Sequence, residues 1–168
     1  MAAHVLVVAT VTATSDDLLE ALRERARRGS VPVDFTLVMP ASGADRAGDE
    51  QRLEEALARW REAGLKCEGV IGDSLPVQAV AEVCQPGGFD EVIVCTLPGQ
   101  TSRWLRSDVP YRIGALTDLP VTHVVAMSMQ HPPPHGGPPP ERERAGIGLL
   151  NVMGYRGPRA SERELKRR

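Results

Sequence analysis

The sequence predicts an α/β domain of the flavodoxin-like or Rossmann-like class, a parallel sheet with helices on both faces. Two observations carry this. Short, β-branched apolar runs recur at His4 to Thr10, Val33 to Met39, Leu65 to Ile71, Glu91 to Cys95 and Val121 to Met127. Amphipathic stretches of helical period separate them, with short connections, which is the pattern of repeated strand–helix–strand units.

The first run is nearly continuous in apolar character, as in a strand covered on both faces. Thr14 or Ser15 then caps a helix whose first turn carries Asp16 and Asp17, complementing the positive end of the helix dipole. Leu18, Leu19, Leu22 and Ala26 mark its inner face, Arg23, Arg25, Arg27 and Arg28 crowd its far end, and Gly29 ends it. Pro40 stops the second strand, and the small, polar loop Ala41 to Gly48 reads as mobile. Leu53, Ala56, Leu57, Trp60 and Ala63 follow a helical period that closes at Gly64, so Trp60 is a core residue and not a ligand platform. After the third strand, Asp73 or Ser74 is a suitable cap and Pro76 sits in the first turn of a third helix. Val77, Val80, Ala81 and Cys84 give that helix its stripe, and Pro86-Gly87-Gly88 breaks it. The fourth strand leads through Pro98 and Gly99 into a polar, basic run. Asp108 and Pro110 form a cap and first-turn pair for a fourth helix that turns Val109, Ile113 and Leu116 inward, and Pro120 introduces the fifth strand.

Composition bounds the function. The 168 residues are 42% hydrophobic and 25% charged, a globular balance, and only 4% aromatic, so the core is aliphatic. The net charge of -2 conceals a division. From Gln130 onward there are eight basic and four acidic residues, leaving twelve basic and eighteen acidic in the first 129. Such an acidic body offers nucleic acid no favourable field. Cys67, Cys84 and Cys95 lack Cys-x-x-Cys spacing and read as reduced core thiols of a cytoplasmic protein, with no metal cluster. The opening MAAHVLVVAT has neither the length of a membrane span nor the flanks of a signal peptide. The chain thus divides into an α/β domain, residues 1–129, and a proline-rich extension, residues 130–168. In the extension HPPPHGGPPP reads as an extended spacer of about 30 Å. Beyond it an apolar island (Ile147, Leu149, Leu150, Val152, Met153, Tyr155) precedes a basic end. The extension is either a disordered tail or a segment that docks on the body or on a partner of unknown identity. His131 and His135 lie four apart, but a proline spacer does not put them on one face as a helix would.

The P-loop, the Gly-x-Gly-x-x-Gly turn after the first strand and the Gly-x-Ser-x-Gly elbow are all absent. His4 and His123 are lone imidazoles in neighbouring strands, without a nucleophile or an orienting acid. No catalytic constellation is evident. The remaining site is the carboxyl edge of the sheet, where open α/β folds hold small ligands.

Four pieces in this order and spacing, VLVVAT, VIGDSLPVQAVAEV, DEVIVCTLPGQTSRWLR and LPVTHVV, resemble the universal stress protein family, as a divergent, arginine-rich branch. The resemblance runs from Val5 to Met127. It implies a five-stranded sheet in the order 3-2-1-4-5, a homodimer pairing through Val121 to Met127, and, as in many members, an adenine nucleotide at the sheet edge. The ligand-binding positions it implies are Thr10, Thr12, Gly72, Thr96, Gly99, Thr101, Ser102, Arg103 and Ser107. ATP-binding members carry an aspartate at the end of the first strand; here the residues are Thr10-Val11-Thr12. Their phosphate loop is Gly-x-x-Gly, a spacer, then Gly-Ser or Gly-Thr. In this chain Thr96 stands for the first glycine, Gly99 matches the second, the spacer is seven residues, and the closing pair is Ser107-Asp108. Asp108 would put a carboxylate where a helix N-terminus otherwise welcomes a phosphate, a repulsion of about a few kcal/mol at an intermediate dielectric. Weakened or lost triphosphate binding is the expectation. Arg103 and Arg106 suit a smaller anion or a monophosphate, unless one of them pairs with Asp108 or another acid. Trp104 reads as a lid or core anchor of the loop. The sequence therefore supports a non-catalytic, dimeric module that holds a small adenine nucleotide or other anion weakly. The alternatives are a ligand-free scaffold acting through its tail and, last, a weak ATPase.

Overall fold

The order of the strands is set by which of them must be buried on both faces. In the computed structural model, which describes residues 1–84 and 87–127, the strands are β1 (Ala3–Val8), β2 (Val33–Pro40), β3 (Lys66–Gly72), β4 (Glu91–Thr96) and β5 (Val121–Val125). They form one parallel sheet in the order β3-β2-β1-β4-β5, the order implied by the family resemblance. Central β1 has the most uniformly apolar sequence, and Val5, Leu6, Val7 and Val8 are all fully buried. Each such side chain contributes about 1.5–3 kcal/mol on leaving water.

Alternation along the strands divides the core into two layers. Val5 and Val7 of β1, with Phe35, Leu37 and Ile93, face helices α1 (Asp16–Arg28) and α2 (Arg46–Glu62). Leu6 and Val8, with Val38, Val92 and Val94, face α3 (Pro76–Val83) and α5 (Val109–Thr117). A short helix, α4 (Arg103–Arg106), precedes α5. Leu18, Leu19 and Leu22 of α1 and Leu53, Ala56, Leu57 and Trp60 of α2 are buried as their period predicts. Arg25 of α1 pairs with Glu91 of β4, and Arg59 of α2 with Asp16 of α1, which ties this layer together at its margins.

Several local expectations need correction. Ser15, not Thr14, caps α1, its hydroxyl oxygen accepting from the Leu18 N–H at 3.3 Å. Thr14 instead belongs to a 3-10 turn, Val11–Thr14, and β1 ends at Val8, before Thr10. Neither Asp73 nor Ser74 caps α3. Leu75 holds the cap position, and the Asp73 carboxylate accepts from its N–H at 2.8 Å, so the acid closes the approach turn instead. On α3 Ala79 is buried and Ala81 exposed, because Ala79 packs onto Gly72 of β3. On α5 Val109 and Ile113 point inward, whereas Leu116 is 49% exposed. His4 is exposed.

The segment expected to be a mobile loop contains a built helix start. Asp45 caps α2 by accepting from the Gly48 N–H at 3.0 Å. The Asp49 carboxylate, 3% exposed, accepts from the Ser42 N–H at 2.8 Å, the Ser42 hydroxyl at 3.0 Å and Arg52 at 3.1 Å. The proline-rich spacer, the apolar island, the basic end and His131 and His135 lie outside the described residues, as does Pro86.

The Ser42 backbone N–H, the Ser42 hydroxyl and the Arg52 guanidinium hold the Asp49 carboxyl below its ordinary range. A depressed folded-state pKa contributes stability that is present above the ordinary carboxylate value and is lost as pH falls through the folded one. Asp49→Ala is therefore expected to lower Tm at neutral pH, with the gap to the unaltered protein closing below about pH 4. Thermal unfolding across this range checks it; a gap independent of pH would contradict the role assigned to the carboxylate.

Candidate functional site

The connections after β1 and β4 leave the sheet toward opposite faces, β1 to α1 and β4 to α4 and α5. Adjacent strands whose connections diverge open a crevice at their carboxyl ends, the place where ligands bind in open α/β sheets.

The floor of this crevice is tightly made. Thr12, 2% exposed in the 3-10 turn after β1, donates its hydroxyl to the Cys95 carbonyl of β4 at 3.1 Å. The indole N–H of Trp60 donates to the Ala13 carbonyl at 3.2 Å from the other side. One turn is thus pinned to β4 and to α2. Burial pushes the Cys95 thiol up, so it stays protonated beneath this floor. Thr10, half-buried, makes no side-chain hydrogen bond among the described residues and lends its carbonyl to the Ala13 N–H.

On the opposite wall, Thr96 ends β4 and is buried, with its hydroxyl 2.7 Å from Nε2 of His123 on β5. Burial pushes the His123 ring below its ordinary pKa, toward the neutral form, and the tautomer of that form decides which of the two groups donates. Pro98 and Gly99 turn the chain outward. Gly99 has φ +20 and nothing within 4 Å of where a Cβ would stand, so its backbone is open to an approaching group. Thr101 donates its hydroxyl to the Pro98 carbonyl at 2.7 Å. Ser102, 4% exposed, caps α4 by accepting from the Leu105 N–H at 3.2 Å. Ser107 donates to the Arg103 carbonyl at 3.0 Å. Trp104 packs against the α3/α5 layer, as an anchor of the loop should.

To an anion, only donors matter. The protons of Thr12, Thr101 and Ser107 already serve backbone carbonyls, and the Thr96 hydroxyl is engaged with His123. What remains for a ligand is the hydroxyl protons of Thr10 and Ser102 and the cations. Arg103 and Arg106 are exposed and form no ion pair among the described residues, with Asp108 or any other acid. Asp108 takes the N-cap position of α5 in a left-handed conformation, φ 49 and ψ 37, yet its carboxylate makes no capping bond. Pro110, in the first turn, removes one of the N–H groups that the α5 N-terminus would otherwise present.

Gly72 has a structural reason of its own. A Cβ there would stand 2.7 Å from the Ala79 Cβ, so the glycine admits α3 to the sheet. Sequence reasoning missed His123 as the partner of Thr96, since only the β4–β5 register brings them together. It also missed Val11 and Leu75, 40% and 66% exposed, which follow β1 and β3 and place apolar surface at the carboxyl edge. Among the described residues no group of three His, Cys, Asp or Glu is arranged to hold a metal ion, and no helix is long and apolar enough to cross a membrane.

No protein-family model matches the chain, and no curated protein matches it. Solved structures do. A universal stress protein in complex with cAMP is similar over 74% of this chain and 97% of its own, at 19% identity and a TM-score of 0.53. A universal stress protein family protein from Arabidopsis thaliana with AMP bound is similar over 79% of this chain and 97% of its own, at 15% identity and a TM-score of 0.52. In the path of its backbone, the chain has the fold of the universal stress proteins.

Proposed function

We propose that the chain is a non-catalytic module of the universal stress type that holds a small, phosphate-bearing adenine nucleotide, or a comparable anion, weakly at the β1/β4 crevice. The observation that carries this is the pair of exposed arginines, Arg103 and Arg106, which form no ion pair among the described residues and lie in the same connection after β4 as the open Gly99 backbone, at the topological switch point. The AMP and cAMP found in structures of the same fold support an adenine nucleotide as the ligand class. Thr10 and the buried Ser102 hydroxyl supply the remaining donor capacity, and Val11 and Leu75 offer apolar surface at the same edge.

A monophosphate suits this site better than a magnesium triphosphate. Asp108 places negative charge at the α5 N-terminus, and Pro110 removes a donor from it. A ligand-free scaffold is the competing reading, favoured by the hydroxyl protons that already have internal acceptors. Calorimetry on the full chain distinguishes the two. AMP is expected to bind weakly, Mg-ATP more weakly still, and Arg103→Ala to reduce AMP affinity about tenfold, the value of one charge-assisted hydrogen bond. Tight, magnesium-dependent ATP binding would refute the monophosphate preference, and silence toward every nucleotide would favour the scaffold.

The module is also proposed to be a homodimer. β5 is an edge strand paired only with β4, and an uncovered edge is a template for another strand. The Ala126 N–H already bonds the Thr96 carbonyl at 2.8 Å, so alternate N–H groups of β5 face outward. Val125→Pro removes one of these and is expected to give a monomer by light scattering at micromolar concentration, with the circular dichroism spectrum kept. A monomeric unaltered protein would contradict pairing through this strand.

A further inference from the structure

The two helical layers meet solvent in opposite ways. On α1, Arg27 pairs with Glu20 and Glu24, and Arg28 with Glu24. On α2, Arg46 pairs with Glu50, Arg52 with Asp49 and Arg61 with Glu54. These outer faces are largely charge-matched, although the exposed Arg23 and Glu62 form no ion pair among the described residues. In the other layer no ion pair forms within or between α3, α4 and α5 among the described residues, although three arginines are exposed there.

The outer face of α5 is the clearest case. Tyr111 and Ala115 stand four apart, as do Arg112 and Leu116, and all four are exposed; Tyr111 and Ala115 lie opposite the buried Val109 and Ile113, while Arg112 and Leu116 run along the margin of the buried side. Tyr111 is 79% exposed and Leu116 49%. A solvated helix face is normally polar; this one is apolar with a guanidinium at its margin, and Arg106 of α4 lies just before it in the chain. Tyrosine and arginine exposed together are what binding surfaces concentrate.

We infer that the outer face of α5, extended by Arg106, is a docking surface for an acidic, amphipathic polypeptide segment. Charge selects this occupant. Between Glu91 and Asp118 the chain has three arginines and one acid, Asp108, so a carboxylate-rich partner would find cations with no competing internal partner. A second copy presenting the same face would oppose arginine to arginine. Nucleic acid and anionic membranes are extended polyanions that would meet the acidic body well beyond α4 and α5, eighteen acidic groups against twelve basic ones in the first 129 residues, whereas a short segment meets only the local arginines; and neither calls for the tyrosine and leucine.

The test uses the full chain, isotope-labelled, with a synthetic amphipathic helical peptide of about five turns bearing leucine on one face and glutamate on the flanks. The controls are its lysine counterpart, a deoxythymidine oligonucleotide and vesicles containing phosphatidylserine. The glutamate peptide is expected to bind, to shift amide resonances of α4 and α5, and to weaken as salt rises. Tyr111→Ser and Arg112→Glu, exposed changes that leave the fold and AMP titration as they were, should each cost about tenfold in affinity. No binding of the glutamate peptide, equal binding of the lysine peptide, shifts away from α4 and α5, insensitivity to Arg112→Glu, or tighter binding of the oligonucleotide or vesicles would each overturn the assignment. Because the AMP titration is read separately, its failure and the failure of this surface remain distinct.

Discussion

A single hydrogen bond, from the buried Thr12 hydroxyl to the Cys95 carbonyl, spans the ends of the two central strands where their connections part. A buried carbonyl at a strand end must find a donor, and a diverging chain supplies none of its own. Thr12 meets that need from the turn that follows the neighbouring strand, and Trp60 fixes the same turn from α2. The turn then delivers Ser15 directly to the cap of α1. The carboxyl edge is thereby rigid, which suits a module that presents surface without changing it. The same bond spends a hydroxyl that would otherwise be available to a ligand.

The two helical layers divide the remaining labour. Ion pairs along α1 and α2 finish one surface, and interlayer pairs such as Arg25 with Glu91 seal its margin. The α3/α5 layer has short helices and little matched charge, and it holds three exposed arginines that form no ion pair among the described residues. The two proposed sites therefore lie on one side of the sheet and along its carboxyl edge, and both would read negative charge through guanidinium groups. If both proposals hold, a protein whose body is acidic would gain selectivity from this arrangement, because short or compact anions meet less of the general repulsion than extended ones.

How much of this was legible in the sequence follows from how local each cause is. The strands, the inner faces of α1 and α2, and the burial of Trp60 depend on composition and period within one segment, and these were readable. Thr14 and Ser15 are equally good caps on chemical grounds; the 3-10 turn that decides between them exists because Thr12 and Ala13 are held from distant strands and helices. Asp49 looks like a solvated helix acid until the β2–α2 connection folds Ser42 onto it. Thr96 and His123 meet only through register, 27 positions apart. Gly72, read as a ligand position, has a packing reason visible only once α3 is laid on the sheet. Asp108 was placed correctly at the start of α5, but its left-handed backbone and uncommitted carboxylate were beyond a reading of spacing alone.

Crystals of the full chain soaked in AMP, compared with unsoaked ones in a difference map, test the account at its centre. Phosphate density beside Arg103 or Arg106 is the predicted result, with Thr12 still bonded to the Cys95 carbonyl and Thr101 and Ser107 keeping their carbonyl partners. Density seated on the N-terminus of α5, with these hydroxyls turned toward the phosphate and Asp108 displaced, would contradict it.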